Sequence, residues 1–284
     1  MKFAVLGAAG QLGHDLCPRL PGTVVPLDRS TADLTRPEML RATLTSLRPD
    51  VVVNCAAYNL VDRAEDEPEA AFAVNTWGVR HLAQVCRDLD CVLMHFSTDY
   101  VFGLDTHRQT PYRETDTPGP VNIYGLSKLS GEYLVRNLST RLFVVRTSGL
   151  YGAWGVGGKG SNFVETMLRI SGQGKPLHVV ADQVCTPTYT IDLAEASAGL
   201  VQTQRYGVHH LTNAGACSWY EFARAILEQS GVAADLTPIP SAEYGAKARR
   251  PAYSVLATST GLPPLRDWRE GLAAYLKERQ RSPA

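Results

Sequence analysis

The first half of the chain alternates between short apolar runs and longer segments of helical periodicity, and this alternation restricts its fold more than any other feature. The apolar runs lie at residues 2–6, 24–28, 51–54, 91–96 and 142–145, and the helical segments at residues 11–20, 36–47, 67–89 and 124–137. Strands separated by helices form βαβ units, whose right-handed crossovers place helices on both faces of a parallel sheet. The sequence therefore predicts an α/β fold with a doubly wound parallel sheet.

The second half of the chain is less regular. Helical patterns lie at residues 161–172, 190–203, 219–230 and 267–279, and a late strand lies at 208–212. Segments rich in Pro and Arg, at 238–240 and 249–251, interrupt these patterns. We predict that residues 1–149 plus about 187–215 form the sheet domain, and that about 150–186 plus 216–284 form a smaller C-terminal lobe.

Composition argues against several classes of partner. Lys plus Arg and Asp plus Glu both number 28, so the formal net charge is zero, whereas a nucleic-acid-binding protein usually carries a basic surface. The six cysteines include no Cys-x-x-Cys pair, which argues against a zinc site, and reduced thiols are typical of the cytoplasm. No apolar stretch approaches the roughly 20 residues of a membrane-spanning helix. We therefore expect a cytoplasmic protein with no metal, no nucleic-acid partner and no membrane partner.

A glycine-rich turn joins the first strand to the first helix, with glycines at Gly7, Gly10 and Gly13. Glycine permits a tight turn and lets backbone N–H groups approach a pyrophosphate, toward which the helix N-terminus adds partial positive charge. The spacing differs from Gly-x-Gly-x-x-Gly, and an ordinary strand–helix turn is the alternative interpretation. Together with the sheet, this turn predicts a Rossmann fold in which the sheet domain binds a dinucleotide and the smaller lobe binds the substrate.

Acidic and basic residues follow the second strand. Asp28 lies close to the offset of about 20 residues at which a carboxylate accepts hydrogen bonds from a dinucleotide ribose. Arg29 follows directly and could instead bind a 2′-phosphate, so the sequence leaves NADPH and NADH open as cofactors. Asp33 and Leu34 could flank the adenine. The alternative interpretation of Asp28 is a solvated turn residue.

Tyr124 and Lys128 are separated by four positions, which places them on one face of a predicted helix. A phenol has a pKa of about 10 and is a poor acid–base catalyst near neutrality. A nearby cation stabilises the phenolate and lowers this pKa, so that Tyr124 can pass a proton to a carbonyl oxygen as a hydride reaches the carbon. The pair is therefore predicted to be catalytic, although this spacing is also common on exposed helices.

Hydroxyl residues end the fourth strand at the carboxyl edge, where doubly wound sheets bind their ligands. Ser97 and Thr98 both lie there, and a hydroxyl at this position can bond a substrate carbonyl and act on Tyr124. We select Thr98, although spacing alone does not distinguish the two residues. The alternative interpretation is a cap at the end of the strand.

These motifs together resemble those of one family, the dTDP-4-dehydrorhamnose reductases, which are extended short-chain dehydrogenases/reductases. The resemblance covers nearly the whole chain, and its most specific part is the Ser-Thr-Asp-Tyr-Val-Phe block in register with the Tyr–Lys pair. The matching segments are Gly7-x-x-Gly10-Gln-Leu-Gly13, Asn54-Cys-Ala-Ala57, Val61-Asp62-x-Ala64-Glu65, Val74-Asn75, Ser97-Thr98-Asp99-Tyr100-Val101-Phe102, Tyr124-Gly-x-x-Lys128-x-x-Gly131-Glu132, Asp182-Gln183, Pro187-Thr188 and Arg249-Arg250-Pro251.

The resemblance implies reduction of the 4-keto group of dTDP-6-deoxy-L-lyxo-4-hexulose to dTDP-L-rhamnose with NADPH or NADH. Thr98, Tyr124 and Lys128 would be catalytic, and Thr98 with Asp99 would contact the sugar. The cofactor would lie along the residues Gly7, Gly10, Gln11, Leu12, Gly13, Asp28, Arg29, Asp33, Leu34, Ala57, Tyr58, Asn59, Tyr124 and Lys128. Arg249 and Arg250 could bind the diphosphate or thymine end of the substrate, since a guanidinium binds phosphate bidentately; a solvated basic turn is the alternative.

Two positions depart from the family pattern. Gly149 stands where the family usually has a Trp that contacts the sugar, so the identity of the keto-sugar stays open. Some members dimerise through Mg²⁺ held by acidic side chains; Asp15 could match one of these, but Ile191 replaces another. We therefore expect a monomer or a homodimer without such a metal bridge.

Two kinds of rival remain open at this stage. One is another nucleotide-sugar 4-ketoreductase, or an epimerase or dehydratase on the same fold, of which the epimerase would retain its nicotinamide throughout the cycle. The other is a non-catalytic NADP-binding subunit, like the regulatory subunit of methionine adenosyltransferase, which is similar to this family. The presence of Thr98, Tyr124 and Lys128 favours an enzyme.

Overall fold

The computed structural model describes residues 1–154, 162–258 and 261–280. In chain order, the strands are β1 (Lys2–Leu6), β2 (Thr23–Leu27), β3 (Val51–Asn54), β4 (Val92–Thr98), β5 (Leu142–Thr147), β6 (Leu150–Tyr151), β7 (Leu177–Val180), β8 (Val184–Cys185), β9 (Thr188–Tyr189), β10 (Gly207–His210), β11 (Cys217–Ser218) and β12 (Leu236–Ile239). The α-helices are α1 (Gln11–Leu16), α2 (Pro37–Leu47), α3 (Val61–Ala64), α4 (Pro68–Phe72), α5 (Val79–Asp88), α6 (Ile123–Leu138), α7 (Phe163–Ser171), α8 (Thr190–Leu200), α9 (Trp219–Ser230), α10 (Ser241–Tyr244) and α11 (Trp268–Arg279).

The central sheet has six parallel strands in the order β10–β5–β4–β3–β1–β2. Alternate side chains of β1 enter different cores: Phe3 and Val5 pack on the face covered by α1 and α8, whereas Ala4 and Leu6 pack on the face covered by α2 and α5. Strands buried on both faces must be apolar throughout, which explains the continuous apolar runs in the sequence. The predicted α/β fold with a doubly wound parallel Rossmann sheet is confirmed.

Two helices differ from their predicted form. The helix predicted at 11–20 ends at Leu16, because Pro18 follows within a 3₁₀ turn at Cys17–Arg19. The helix predicted at 67–89 is continuous, but its middle, Ala73–Gly78, is a π-helical segment between α4 and α5. Such segments are rare, and they frequently lie at functional sites.

The C-terminal lobe has a separate aromatic core. Tyr151, Phe222, Trp268 and Tyr275 are all buried there, and their rings pack against one another. Strand β12 pairs in parallel with β7, a pairing that the sequence did not predict because Pro238 argues against a strand. A two-stranded ribbon has only edge strands, where proline is tolerated.

Helix α8 and strand β10 both pack with the central sheet. Helix α8 packs against α1, and β10 forms the edge strand beside β5. This is consistent with the predicted division into 1–149 plus about 187–215 and about 150–186 plus 216–284, which stays a prediction. Helix α7 begins at Phe163 with Asn162 as its cap, and residue 161 of the helix predicted at 161–172 lies outside the described residues. Within the described ranges, no helix is both long and apolar enough to cross a membrane.

Candidate active site

The sheet order changes direction between β1 and β3, and the loops after these two strands lie against each other at the carboxyl edge. Gly7 has φ +71°, and a Cβ atom on it would lie 2.8 Å from the backbone nitrogen of Ala56. A Cβ on Gly13 would lie 2.3 Å from the carbonyl oxygen of Gly7. Only glycine fits at these two positions. Open α/β sheets bind their ligands at such a point of reversal, and the close backbone packing suits a pyrophosphate cradle.

Helix α1 begins directly after this turn, with Gly10 at its N-cap. Gln11 is its first residue and is half-buried. Leu12 is buried in the core, so that only its backbone can face a ligand in the cradle. The turn and the helix start therefore have the form that a bound dinucleotide requires, and the interpretation of an ordinary turn is disfavoured.

The residues after β2 lie at the same edge of the sheet. The Asp28 carboxylate accepts hydrogen bonds from the backbone and hydroxyl of Ser30 and from Thr31, and these bonds lower the pKa of Asp28. Arg29 is exposed and forms an ion pair with Asp33 at 3.0 Å. Leu34 is buried against Gly78. The structure therefore brings the four predicted residues to one place, with one exposed carboxylate and one exposed guanidinium near the turn.

A π-helical asparagine holds the loop after β3. The amide of Asn75 donates to the carbonyl of Tyr58 and accepts from its N–H, both at 2.9 Å. These two hydrogen bonds fix the backbone of Tyr58, which lies between the exposed residues Ala57 and Asn59. Asn75 also donates to the hydroxyl of Ser127 on α6 at 3.0 Å. In the sequence Asn75 is only part of a motif, and the hydrogen bonds by which it joins this loop to α6 were not predicted.

Two polar residues fix the start of helix α6, and Tyr124 lies in its first turn. The Asn122 side chain accepts from the N–H of Gly125 at 2.7 Å and donates to the carbonyl of Arg249 at 2.8 Å. Glu65 accepts from the N–H of Ile123 at 2.9 Å. Neither residue was predicted to belong to the site. Because these hydrogen bonds anchor the first turn of α6, they fix the position of Tyr124 relative to the end of β4.

The phenol of Tyr124 lies beside Thr98. Burial raises the pKa of Tyr124 to about 12, a hydrogen bond with Thr98 lowers it, and the nearby Asp99 carboxylate raises it. The prediction that Lys128 lowers the pKa of Tyr124 is therefore wrong for this structure, because burial outweighs the hydrogen bond with Thr98 and Lys128 is not among the groups that act on this pKa. The hydroxyl of Ser97 donates instead to Glu132 at 2.5 Å, which supports the choice of Thr98 over Ser97.

Lys128 is 2% exposed, and its ammonium group lies under the end of β4. It donates to the carbonyl of Phe96 at 2.7 Å and lies 3.5 Å from Nε2 of His95. Burial lowers the pKa of Lys128 to about 8, while Glu132 and Cys55 act in the opposite direction. Lys128 can therefore gain and lose a proton close to neutral pH.

Asp99 connects the two lobes. Its carboxylate accepts hydrogen bonds from Thr98 at 3.1 Å, Ser148 at 2.8 Å and Ser254 at 2.5 Å. Burial raises the pKa of Asp99 to about 6 despite these three bonds. Three internal hydroxyls thus already bond the carboxylate that was predicted to contact the sugar, and this contact stays a prediction.

The two arginines predicted to bind the diphosphate differ in their environment. Arg250 forms a bidentate ion pair with Asp62, with N–O distances of 2.7 and 3.0 Å, whereas Arg249 is exposed. Both line a cavity of about 410 Å³. Asp182 and Lys247 also line this cavity. The structure therefore places Arg249 and Arg250 at an open pocket, although Arg250 already joins the C-terminal lobe to helix α3.

Asp15 faces inward, where its carboxylate accepts a hydrogen bond from Thr190 at the start of α8. Among the residues that the structure describes, no group of three or more His, Cys, Asp and Glu side chains could hold a metal ion. The expected lack of a metal stays a prediction.

The parallel sheet, the glycine cradle at its point of reversal and the Tyr–Lys pair beside β4 define an extended short-chain dehydrogenase/reductase. A family model for the RmlD substrate binding domain matches residues 1–281. A dTDP-4-dehydrorhamnose reductase of Mycolicibacterium smegmatis is 43% identical over 95% of this chain and 84% of its own length. The chain belongs to the dTDP-4-dehydrorhamnose reductase family, as its motifs predicted.

Two further relatives support this membership. The spore coat polysaccharide biosynthesis protein SpsK of Bacillus subtilis is 42% identical over 98% of both chains. The crystal structure of a dTDP-4-dehydrorhamnose reductase of Bacillus anthracis in complex with NADP has a TM-score of 0.93 and 37% identity, and the match covers 98% of this chain and 99% of the other.

Proposed function

We propose that this chain catalyses the NADPH- or NADH-dependent reduction of the 4-keto group of dTDP-4-dehydro-L-rhamnose to dTDP-L-rhamnose. The observation that carries the proposal is the phenol of the half-buried Tyr124, hydrogen-bonded to Thr98 at the carboxyl edge of the sheet that also carries the glycine cradle. Family membership and the names of the relatives support the substrate and the reaction. The chain is accordingly a nucleotide-sugar oxidoreductase.

The residues of the cradle fit a nicotinamide dinucleotide. Gly10, Gln11 and the backbone of Leu12 would hold the pyrophosphate, because the close approach at Gly7 and Gly13 leaves N–H groups free of side-chain cover. Asp28, with Asp33 and Leu34, would bind adenosine, and Arg29 would meet a 2′-phosphate. The loop Ala57, Tyr58 and Asn59 would lie along the cofactor. When bound, the dinucleotide supplies the hydride.

The catalytic residues handle the proton. A phenol whose pKa is about 12 is protonated at neutral pH, which is the state that reduction of a ketone requires. Tyr124 donates its proton to the C4 oxygen, and Thr98, which is hydrogen-bonded to the phenol, holds the phenol in place. Lys128, one helical turn along α6 from Tyr124, has a pKa of about 8 and would be the source from which the phenolate regains its proton. Thr98 and Asp99 also border the space for the sugar.

The role of the cradle in binding NADPH can be tested by comparing two glycine-to-alanine variants, one inside the cradle and one outside it. Gly13→Ala would force the backbone atoms of the cradle apart, and a loss of about 1–3 kcal/mol in the free energy of NADPH binding corresponds to a roughly fivefold to 150-fold weaker Kd. Isothermal titration of NADPH measures this. The control is Gly199→Ala, which has no atom within 4 Å of the added Cβ and lies in helix α8. Equal NADPH affinity in the two variants would exclude the glycine cradle as the binding site of the pyrophosphate.

Variants of Arg249 and Arg250 distinguish substrate binding from the contact between the two lobes. Arg249→Ala should raise KM for the dTDP-sugar by about tenfold or more, because a charged hydrogen bond to phosphate is lost, and should leave Tm unchanged. Arg250→Ala removes the ion pair with Asp62 and should lower Tm as well as raise KM. Steady-state kinetics and thermal unfolding measure both quantities. An unchanged KM in Arg249→Ala would remove this residue from the substrate site.

A second candidate function is reduction of a different dTDP-4-keto sugar. Gly149 has φ +56°, and a Cβ there would lie 3.0 Å from the backbone of Pro187. The backbone is therefore shaped for glycine where the family usually has Trp, and the sugar pocket loses one contact surface. Assays with several dTDP-4-keto sugars, with both reduced cofactors and with the C4 configuration of each product determined, distinguish the two candidates.

The same assays separate the other rivals. An epimerase would purify with tightly bound NAD⁺ and would consume no reduced cofactor. A non-catalytic subunit would bind NADPH and oxidise none of it when offered a keto-sugar. The six free cysteines support our proposal that the enzyme acts in the cytoplasm. The prediction of a monomer or homodimer is tested by sedimentation.

A further inference from the structure

A backbone amide fixes the orientation of a buried asparagine behind the catalytic helix. The N–H of Ala56 donates to Oδ1 of Asn54 at 3.1 Å. The amide of Asn54 cannot be reversed, because its NH₂ group would then face another donor. Its Nδ2 therefore points the other way, toward Nδ1 of His95 at 3.0 Å. Nδ1 of His95 must accept this hydrogen bond.

The acceptor role of Nδ1 determines the tautomer of His95. His95 is fully buried, and burial together with the nearby Lys128 keeps its pKa well below the usual value. The ring is thus neutral and carries one proton. Because Nδ1 accepts from Asn54, that proton is on Nε2.

The protonated Nε2 faces Lys128. The distance between Nε2 and Nζ is 3.5 Å, which is long for a hydrogen bond between nitrogens, whereas the bond from Nζ to the carbonyl of Phe96 is 2.7 Å. An ammonium group has only donors, so an N–H directed at it is unfavourable. A neutral amine has a lone pair and can accept from the same N–H. The imidazole therefore favours the neutral form of Lys128.

We propose that His95 is a positioning residue, which Asn54 holds in the Nε2–H tautomer, so that Lys128, bonded to the carbonyl of Phe96, is biased toward its neutral form. The inference rests on the proposed catalytic roles of Tyr124 and Lys128. When Lys128 becomes neutral, one of its N–H bonds breaks and the proton passes to water, and the reverse transfer restores the ammonium group. No redox change is involved.

Other titratable groups act on Lys128 in the opposite direction. Glu132 on the same helix and Cys55 after β3 both raise the pKa of Lys128. Glu132 is itself paired with Arg146 and bonded by Ser97, which weakens its field at Lys128. Burial lowers the pKa, and the N–H dipole of His95 acts in the same direction as burial. The pKa of Lys128 is lowered overall, which agrees with the direction of the His95 N–H toward its Nζ.

The tautomer can be observed without any enzyme assay. In a protein whose histidine rings are labelled with ¹⁵N, NMR distinguishes a ring nitrogen that carries a proton from one that does not. The signals that are lost in His95→Gln are those of His95. We expect a neutral ring with the proton on Nε2 throughout the pH range of the folded protein. A proton on Nδ1, or protonation of both nitrogens near neutral pH, would overturn the proposal. This result is independent of whether Tyr124 and Lys128 are catalytic.

The pH profile tests the consequence. His95→Leu removes the N–H that faces the ammonium, so the limb of kcat that falls near pH 8 should move upward by about one unit. Turnover at neutral pH should fall several-fold. The control, His178→Gln on the exposed side of β7, should change neither quantity. If the limb stays in place or moves down, the role of His95 is refuted, whereas full activity of a Tyr124 variant would refute the proposed function itself.

Discussion

Tyr124→Phe is expected to lower kcat for keto-sugar reduction about 10²–10⁴-fold, which is the usual contribution of a general acid. The phenyl ring fills the same space, so the change removes only the hydroxyl that Thr98 bonds and that carries the proton to the C4 oxygen. Binding of NADPH should be nearly unchanged, because the cradle at Gly7 and Gly13 is distant in sequence and intact.

Stopped-flow and steady-state measurements of nicotinamide oxidation give kcat, and titration gives Kd. Tyr133→Phe is a matched control, since Tyr133 is on the same helix and is 46% exposed. It should retain full activity. Wild-type turnover in Tyr124→Phe would remove the phenol from the reaction.

Arg146→Met is expected to lower the free energy of unfolding by about 3–5 kcal/mol, the cost of leaving one charge of a buried pair without its partner. Arg146 and Glu132 are 1% and 0% exposed and are joined by three short N–O contacts of 2.6, 3.0 and 3.1 Å. Replacing both residues, as Glu132→Leu with Arg146→Met, should cost less than the single change, because neither charge of the pair is left without its partner.

Urea unfolding measures these differences. The control is Arg141→Met, whose ion pair with Asp90 is on the surface and should contribute less than about 1 kcal/mol. A single variant no less stable than the double variant would contradict the interpretation of a strongly coupled buried pair.

The fold could be predicted because its cause is local. Strands buried on both faces must be apolar along their whole length, and glycines at Gly7 and Gly13 are required wherever two backbones meet. The positions of Thr98 and Tyr124 followed from the same logic, since β4 and α6 meet at the carboxyl edge. The strand β12 was missed because Pro238 is acceptable only in a ribbon whose partner the sequence does not reveal.

The electrostatics of the site could not be predicted in the same way. Asn54 and His95 are 41 positions apart, and their bond depends on the register of β3 against β4. The pKa of Tyr124 was predicted in the wrong direction because burial is a property of the packed lobes. Arg250 was predicted to bind the substrate or to lie in a solvated turn, whereas Asp62, 188 positions away, already holds it. Each of these interactions depends on tertiary contacts.

The most direct test of the central claim, that Tyr124 protonates a C4 oxygen as hydride reaches the same carbon, is a labelled reduction. The purified chain is given dTDP-4-dehydro-L-rhamnose and NADPH carrying deuterium at C4 of the nicotinamide, and the product is examined by NMR and mass spectrometry. We predict dTDP-L-rhamnose with one deuterium at C4 of the sugar. Binding of NADPH without its oxidation, or a product with no deuterium at C4, would contradict the account.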